Sequence, residues 1–478
     1  MSSLASASIK GVVWSAIERF SLQGVQFLIG IVLARLLSPS DFGLIGMLSI
    51  FLSVSQTFID CGFSNALVRQ KETTERDYGT AFLVNLLISL LAFAVLFVAA
   101  PFVASFYDMP LLSPVLRWVS LTLVLNALFA VHKARLTRAV DFKTQSKASL
   151  AAALLSGTLG ICMAYEGFGV WSLVAQSICN SALNLLLLTA LMRWFPRPGF
   201  CKRSFDALFA FGSRLLAASL IHSVYINLYN LVIGKRYSAA DLGFFTRAHH
   251  LASFPSNNFT GIMNRVSLPI LSRLQDDSEK LSGVYAKYLK MACFVIFPLM
   301  FGLAALAEPT VVLVLGEKWR PSVLLLQILC LGFMFEPVIQ TNLNLLYVKG
   351  RSDLVLRLEI IKKAIAVAIL AATSFFGIRW MCAGCAFFSL VDALFCTFYS
   401  GRFIGLGTFR QALMLAPYYL LSFSMGVCVL AVSRFLDSNV LKLLVGVPFG
   451  AAFYLGLARA FRLDALAGLW GLLRRGGR

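Results

Sequence analysis

Residues 243–266, GFFTRAHHLASFPSNNFTGIMNRV, set ionisable and amide side chains inside an otherwise apolar stretch. At 100° per residue, Arg247, His250, Phe254, Asn257, Asn258, Gly261 and Arg265 share an arc of about 100° on one helix. Three further stretches repeat the design with Glu18, Arg19, Gln23 and Gln26; with Ser49, Ser53, Gln56 and Asp60; and with His222, Ser223, Asn227 and Asn230. Guanidinium groups attract anions, and amides and hydroxyls exchange hydrogen bonds with polyols. A carboxylate in apolar surroundings takes up a proton or a cation readily, because burial disfavours its charge. The chemistry expected is therefore non-covalent handling of a polar, anionic cargo. Its candidate cavity residues are Arg19, Gln23, Gln26, Gln56, His222, Asn227, Asn230, Arg247, His250, Asn257, Asn258 and Arg265. Glu18, Asp60, Glu336 and Asp392 are the candidates for ion coupling.

The plainer reading is that polar side chains simply join helices. Interhelical hydrogen bonds of about 0.6 kcal/mol each account for the neutral residues. They do not account for Glu18, Arg19, Asp60, Arg247, Glu336 and Asp392, since an ionisable side chain at mid-membrane costs about 2.5–3.5 kcal/mol. Arg214 and Arg265 lie close enough to a helix end to reach the headgroups. Covalent and metal chemistry find no support. His249 and His250 are adjacent and diverge by about 100°, and Cys382 and Cys385 have neither a second pair nor a nearby His. The sequence contains no phosphate-binding G-x-x-x-x-G-K-[ST] loop, nucleophile elbow or H-E-x-x-H. No catalytic residue, metal or cofactor is expected.

The elements that must position these side chains follow from composition. The 478 residues are 59% hydrophobic and only 13% charged, with a mean hydropathy of +0.81. A soluble domain carries about 25% charged residues, so much of this surface faces lipid. Apolar windows of membrane length recur about fourteen times, near 11–33, 42–66, 80–101, 112–131, 149–165, 169–192, 208–233, 242–270, 291–314, 322–347, 361–377, 381–401, 412–433 and 442–460. Lys and Arg then fall in alternate loops, among them Lys349, Arg351, Arg357, Lys362 and Lys363, while the intervening turns hold roughly a third as many. The bias explains the net charge of +20 without nucleic acid and places both termini in the cytoplasm. The tail RAFRLDALAGLWGLLRRGGR has the mixture of Leu, Trp and Arg expected of a helix lying on the membrane surface.

The phrase RLLSPSDFGLIGM at 35–47 is echoed by RYSAADLGFFTRA at 236–248, about 200 positions later. Six spans separate the copies, an even number, so both enter the membrane in the same sense. The expected architecture is all-α: an N-terminal six-helix lobe over 1–200, a second over 201–405 related by a parallel repeat, and two more helices with a basic tail over 406–478. The conserved spacing of Asp41 and Gly43, and of Asp241 and Gly243, is read as shaping the extracytoplasmic corner between paired helices. In LGEKWRP, Gly316 and Pro321 are read as shaping a connection, with Trp319 at the membrane interface.

Seven phrases in order also carry a resemblance: LARLLSPSDFGLIGM, ARLTRAVDFKTQS, YEGFGVWSLVAQ, LYNLVIGKRYSAADLGFFTRAHHLASFP, NRVSLPILSRLQDD, VLGEKWRPS and NLNLLYVKGRSDLVLRLEIIKK. Over about residues 10–400 the chain resembles the Wzx-type polysaccharide transporters, close to colanic-acid and exopolysaccharide exporters, of the multidrug/oligosaccharidyl-lipid/polysaccharide exporter superfamily. The resemblance implies two six-helix lobes in a V around a cationic cavity, plus two extra helices. It also implies movement of an undecaprenyl-diphosphate-linked glycan across a bacterial inner membrane, with the lipid bilayer and a glycan polymerase and co-polymerase as partners. A peptidoglycan-precursor flippase and a cation-coupled drug exporter of the same superfamily are the alternatives, and a membrane-bound polymerase or ligase is a third. The family transfers no fixed site residues, so the nominated side chains rest on helix-face geometry alone.

Overall fold

The computed structural model of the protein describes residues 21–60, 63–69 and 73–466. Glu18 and Arg19 lie outside the described residues, as does most of the basic tail, and the side chains of Arg214 and Arg265 lie outside the described side chains. The described chain is helical throughout. In lipid no water is available to backbone polar groups, and a helix satisfies them within one segment. Ten helices are long and apolar enough to cross a membrane among the described residues. On the fourth of the elements below, Val98 is 68% and Phe102 75% exposed, as lipid-facing side chains are.

The chain divides into two compact units, Met1–Gly243 and Phe244–Arg478. The first holds α1 (Ser21–Leu36), α2 (Pro39–Asp60), α3 (Phe63–Arg69), α4 (Glu75–Phe106), α5 (Leu112–Val119), α6 (Leu121–Arg138), α7 (Phe142–Tyr165), α8 (Val170–Met192) and α9 (Lys202–Arg236). The strongly exposed Val98 and Phe102 belong to α4. Within this unit α7 packs along α8, α2 along α9, and α6 against both α4 and α8.

The second unit takes most of α10 (Ala239–Ser272), then α11 (Ser278–Ala305), α12 (Ala307–Val314), a 3-10 turn at Glu317–Trp319, α13 (Ser322–Phe333), α14 (Glu336–Val348), α15 (Ser352–Thr373), α16 (Ile378–Ile404), α17 (Thr408–Arg434) and α18 (Asn439–Ala460). Here α16 is central, packing against α13, α14 and α15, while α11 lies along α17.

Several spans expected as single helices are broken. The 112–131 window breaks at Ser120; 291–314 breaks at Leu306; and 322–347 breaks between Phe333 and Glu336. Two breaks have a local cause. Pro309 and Pro337 lack a backbone N–H and sit in the first turn of α12 and α14, where a helix leaves that donor without an intrahelical partner. A hydropathy window does not register such breaks because the side chains stay apolar across them.

The repeated phrase proves to be a helix cap. Ser38 donates to Asp41 Oδ2 from its backbone N–H at 2.9 Å and from its hydroxyl at 2.6 Å, and the Asp41 N–H donates back to Ser38 Oγ at 3.3 Å. Ser238 and Asp241 repeat the arrangement at 3.2, 2.7 and 3.1 Å. Each pair is a capping box that satisfies donors orphaned at a helix start. The glycines have a different reason. A Cβ on Gly43 would lie 1.7 Å from the carbonyl oxygen of Ala239, and one on Gly243 would lie 2.0 Å from that of Pro39. Because Gly43 and Gly243, and likewise Pro39 and Ala239, are equivalent positions 200 residues apart, the two corners cross reciprocally, backbone against backbone.

Two sequence expectations are corrected here. Trp319 is fully buried instead of interfacial, with its ring edge-on to Phe244 at 6.0 Å. Lys362, counted among loop charges, lies mid-helix on α15 and is only 3% exposed. Counting charges near span ends does not reveal which face of the helix each one takes.

Candidate functional site

The first unit carries an open cavity of about 670 Å³ among α2, α6 and α9. Such a volume is within the range that holds a small organic ligand. Ser53, Gln56 and Thr57 line it from α2; Thr122 and Asn126 from α6; and Ser219, His222, Ser223 and Asn227 from α9, with Leu52, Leu123 and Ile226 between them. Helical spacing explains the grouping. Ser53, Gln56 and Thr57 recur at i, i+3 and i+4, as do Ser219, His222 and Ser223, so each helix turns one polar face inward.

The polar groups are tied into a relay. Gln56 Nε2 donates to Asp60 Oδ1 at 3.1 Å, Asn126 Nδ2 donates to Gln56 Oε1 at 3.2 Å, and Ser181 Oγ donates to Asn126 Oδ1 at 2.9 Å. Asn227 turns its amide back onto the Ser223 carbonyl at 2.9 Å, and Asn230 Nδ2 reaches Ser49 Oγ at 3.0 Å, joining α9 to α2. An amide carries two N–H donors and a two-lone-pair oxygen. Gln56 and Asn126 therefore hold each other in place and keep capacity for a ligand's hydroxyls. The walls carry hydroxyls, amides and one imidazole and no carboxylate, Lys or Arg, so the arrangement suits hydrogen bonding to a polyol.

Of the nominated residues, Gln56, His222 and Asn227 meet at this cavity, with Asn230 just beyond it and Asp60 at the end of its relay. Gln23 and Gln26 on α1 are not among its lining residues. The α10 stripe belongs to the second unit: His250 and Asn257 are exposed, Arg247 is half-buried, and Asn258 Nδ2 donates to its own helix at Phe254 O, 2.8 Å away. His249 instead packs edge-on to Phe333 at 5.1 Å. Sequence reasoning missed the α6 contribution. Thr122 and Asn126, four apart in an apolar run, carried the same i, i+4 signal that had nominated α2 and α9.

A second polar group lies in the second unit. Lys362 Nζ on α15 is 2.8 Å from Asp392 Oδ1 on α16 and 2.8 Å from Glu359 Oε1 one turn away, while Lys363 Nζ is 3.5 Å from Glu359 Oε2. Cys396 Sγ, also on α16, donates to Asp392 Oδ1 at 3.2 Å. Glu336 on α14 accepts from Gln340 Nε2 at 2.8 Å and lies within electrostatic reach of both Asp392 and Lys362. Glu336 and Asp392, nominated separately, thus belong to one neighbourhood whose centre is a lysine. Nearby, Tyr285 donates to Asn342 Oδ1, 2.7 Å away; Tyr285 OH lies 3.0 Å from Gln411 Oε1; and Ser400 Oγ also donates to Asn342 Oδ1, a buried network that fastens α11, α14, α16 and α17. Among the described residues no group of three or more His, Cys, Asp and Glu is placed to hold a metal ion.

The cavity's geometry does not by itself name a function, and comparison with known proteins adds the family. The profile of the family described as "Polysaccharide biosynthesis protein" matches residues 32–324, more than half of the chain. The chain belongs to this family. Among curated proteins it is similar to the lipopolysaccharide biosynthesis protein WzxC of Escherichia coli (strain K12), 27% identical over 362 residues that cover 75% of this chain and 74% of that protein. The teichuronic acid biosynthesis protein TuaB of Bacillus subtilis (strain 168) is 24% identical over 356 residues, covering 74% of each. Among solved structures, the lipid II flippase MurJ in an inward closed conformation shares the fold, with a TM-score of 0.78 at 14% identity over 95% of this chain and 100% of that one. An inward-facing multidrug-resistance MATE transporter gives 0.61 at 17% identity over 84% and 98%. This member of the polysaccharide biosynthesis family is therefore an all-α, multi-pass membrane protein that shares its fold with the solved MurJ and MATE structures.

Proposed function

We propose that the protein is a flippase or exporter that moves an undecaprenyl-diphosphate-linked oligosaccharide across the bacterial inner membrane by alternating access, serving exopolysaccharide, capsule or O-antigen synthesis. The observation that carries this reading is the Gln56–Asn126 amide pair in a cavity of otherwise neutral hydroxyls and amides. Sugars offer many hydroxyls, and such a lining meets them with donors and acceptors. Family membership and the sugar-polymer names of the similar proteins support the same class of cargo. It is a transporter and not an enzyme.

In the finer reading the chain makes about fourteen spans, arranged as two six-helix lobes over 1–200 and 201–405 with two helices and a basic tail over 406–478, and both termini are cytoplasmic. Arg19 and Arg247 serve the diphosphate, whose charge a guanidinium pairs with in bidentate fashion. Gln23, Gln26, His250, Asn257, Asn258 and Arg265 extend the cargo path beyond the residues of the first cavity. Glu18, Asp60, Glu336 and Asp392 are the carboxylates proposed to couple transport to an ion. A glycan polymerase and co-polymerase are the proposed partners.

The test is reconstitution of the purified protein in proteoliposomes with a defined undecaprenyl-diphosphate glycan. Translocation of the glycan is the expected result. Efflux of cationic drugs, with no flipping of any lipid-linked glycan, would move the assignment to the drug-exporter branch of the same superfamily. A MurJ-like preference for a peptidoglycan precursor would change the cargo and keep the mechanism.

A further inference from the structure

The centre of the second unit contains a cation that is part of the chain itself. Lys362 Nζ stands 2.8 Å from an oxygen of Asp392 and 2.8 Å from an oxygen of Glu359, with Cys396 Sγ at 3.7 Å. The ammonium is only 3% exposed, while Asp392 is 15% and Glu359 34% exposed, so the carboxylates can be reached from outside although the cation between them cannot. An ammonium group and a potassium ion are close in size, and both are satisfied by oxygens at such distances. Stripped of its lysine, the same place would be two carboxylates and a thiol facing an empty centre, where like charges repel and recruit a counter-ion.

We propose that Lys362 is a tethered cation that occupies an alkali-ion position between Asp392 and Glu359, so that the cluster excludes a free metal cation while the ammonium is in place. The consequence rests on the coupling role proposed above for Asp392: no sodium or potassium gradient drives transport through this cluster. The occupancy itself does not depend on what the protein carries, and it is read without any transport assay.

The experiment compares thermal unfolding of the purified full-length protein and of Lys362→Met in detergent, in potassium chloride and in choline chloride at equal ionic strength. The expected result is a wild-type melting temperature that does not change between the salts. Lys362→Met should melt several degrees lower in choline and regain most of that loss in potassium, with saturation. Lys362→Met/Glu359→Gln, which relieves part of the repulsion and serves if the single variant does not fold, should need at least tenfold more potassium for half of its response. A wild type that responds to potassium as strongly as the variants, or folded variants that show no difference between the two salts, would overturn the proposal. Flipping that fails for every lipid-linked glycan would refute the functional reading and leave this result standing.

Discussion

The cavity of the first unit and the lysine cluster of the second solve the same problem in opposite ways. Both bring polar groups into an apolar helical bundle. Around Gln56 and Asn126 the bonds that join α2, α6 and α8 run between amides and a hydroxyl, each worth little, so the site can exchange partners and still be satisfied. Around Lys362 the groups are charged, and each depends on its opposite, because a lone charge in such surroundings is far more costly than a lone amide. A cargo that must bind and leave needs the first kind of site. A switch or a fixed strut uses the second.

The largest test of this difference is to remove one partner of the ion pair. Asp392→Ala leaves Lys362 short of its principal partner on another helix and should cost about 3–5 kcal/mol, measured by unfolding in detergent. Lys362→Met/Asp392→Leu should recover most of that loss, and a double variant as unstable as the single would show that the cluster is not an ion pair in energetic terms. Next comes the corner that holds α2 beside α9. Gly43→Ala must push the Ala239 carbonyl away, at about 1–3 kcal/mol, and Gly243→Ala should match it if the crossing is reciprocal. Unequal losses would break that symmetry. Ser38→Ala, which removes only the cap on α2, should cost about 1 kcal/mol, and this should appear as a small fall in melting temperature. The smallest stability effect belongs to the neutral cavity. Ser181→Ala, which removes one bond of the relay, should cost about 0.6 kcal/mol, while Gln56→Ala with Asn126→Ala should lower glycan flipping about tenfold at unchanged membrane level, equivalent to about 1.4 kcal/mol of binding. Unimpaired flipping in that double variant would remove the cavity from the cargo path.

These residues also mark how far sequence reasoning reached. Gln56, His222 and Asn227 were legible because a polar residue in an apolar helix is conspicuous and its face follows from 100° per residue. Asn126 carried the same signal on α6 and was passed over because it stands with few polar neighbours. The helix breaks at Leu306 and near Glu336 were marked only by Pro309 and Pro337, since hydropathy does not register backbone geometry. Lys362 was misread for a deeper reason: a positive charge near a span end reads as a loop charge until its neighbours on another helix are known.

The sequence by itself determined that the chain is an all-helical membrane protein, that one Ser-x-x-Asp-x-Gly phrase recurs at two corners, and which helices carry polar faces. Those properties follow from composition and local periodicity, because lipid rewards apolar length and a helix repeats its faces every 3.6 residues. Only the tertiary structure decided that Gly43 meets Ala239 while Gly243 meets Pro39, that α6 completes the cavity, and that Lys362 neutralises Asp392. Each of these is a contact between segments distant in sequence, and the pairing of helices is set by packing, which no local pattern of residues encodes.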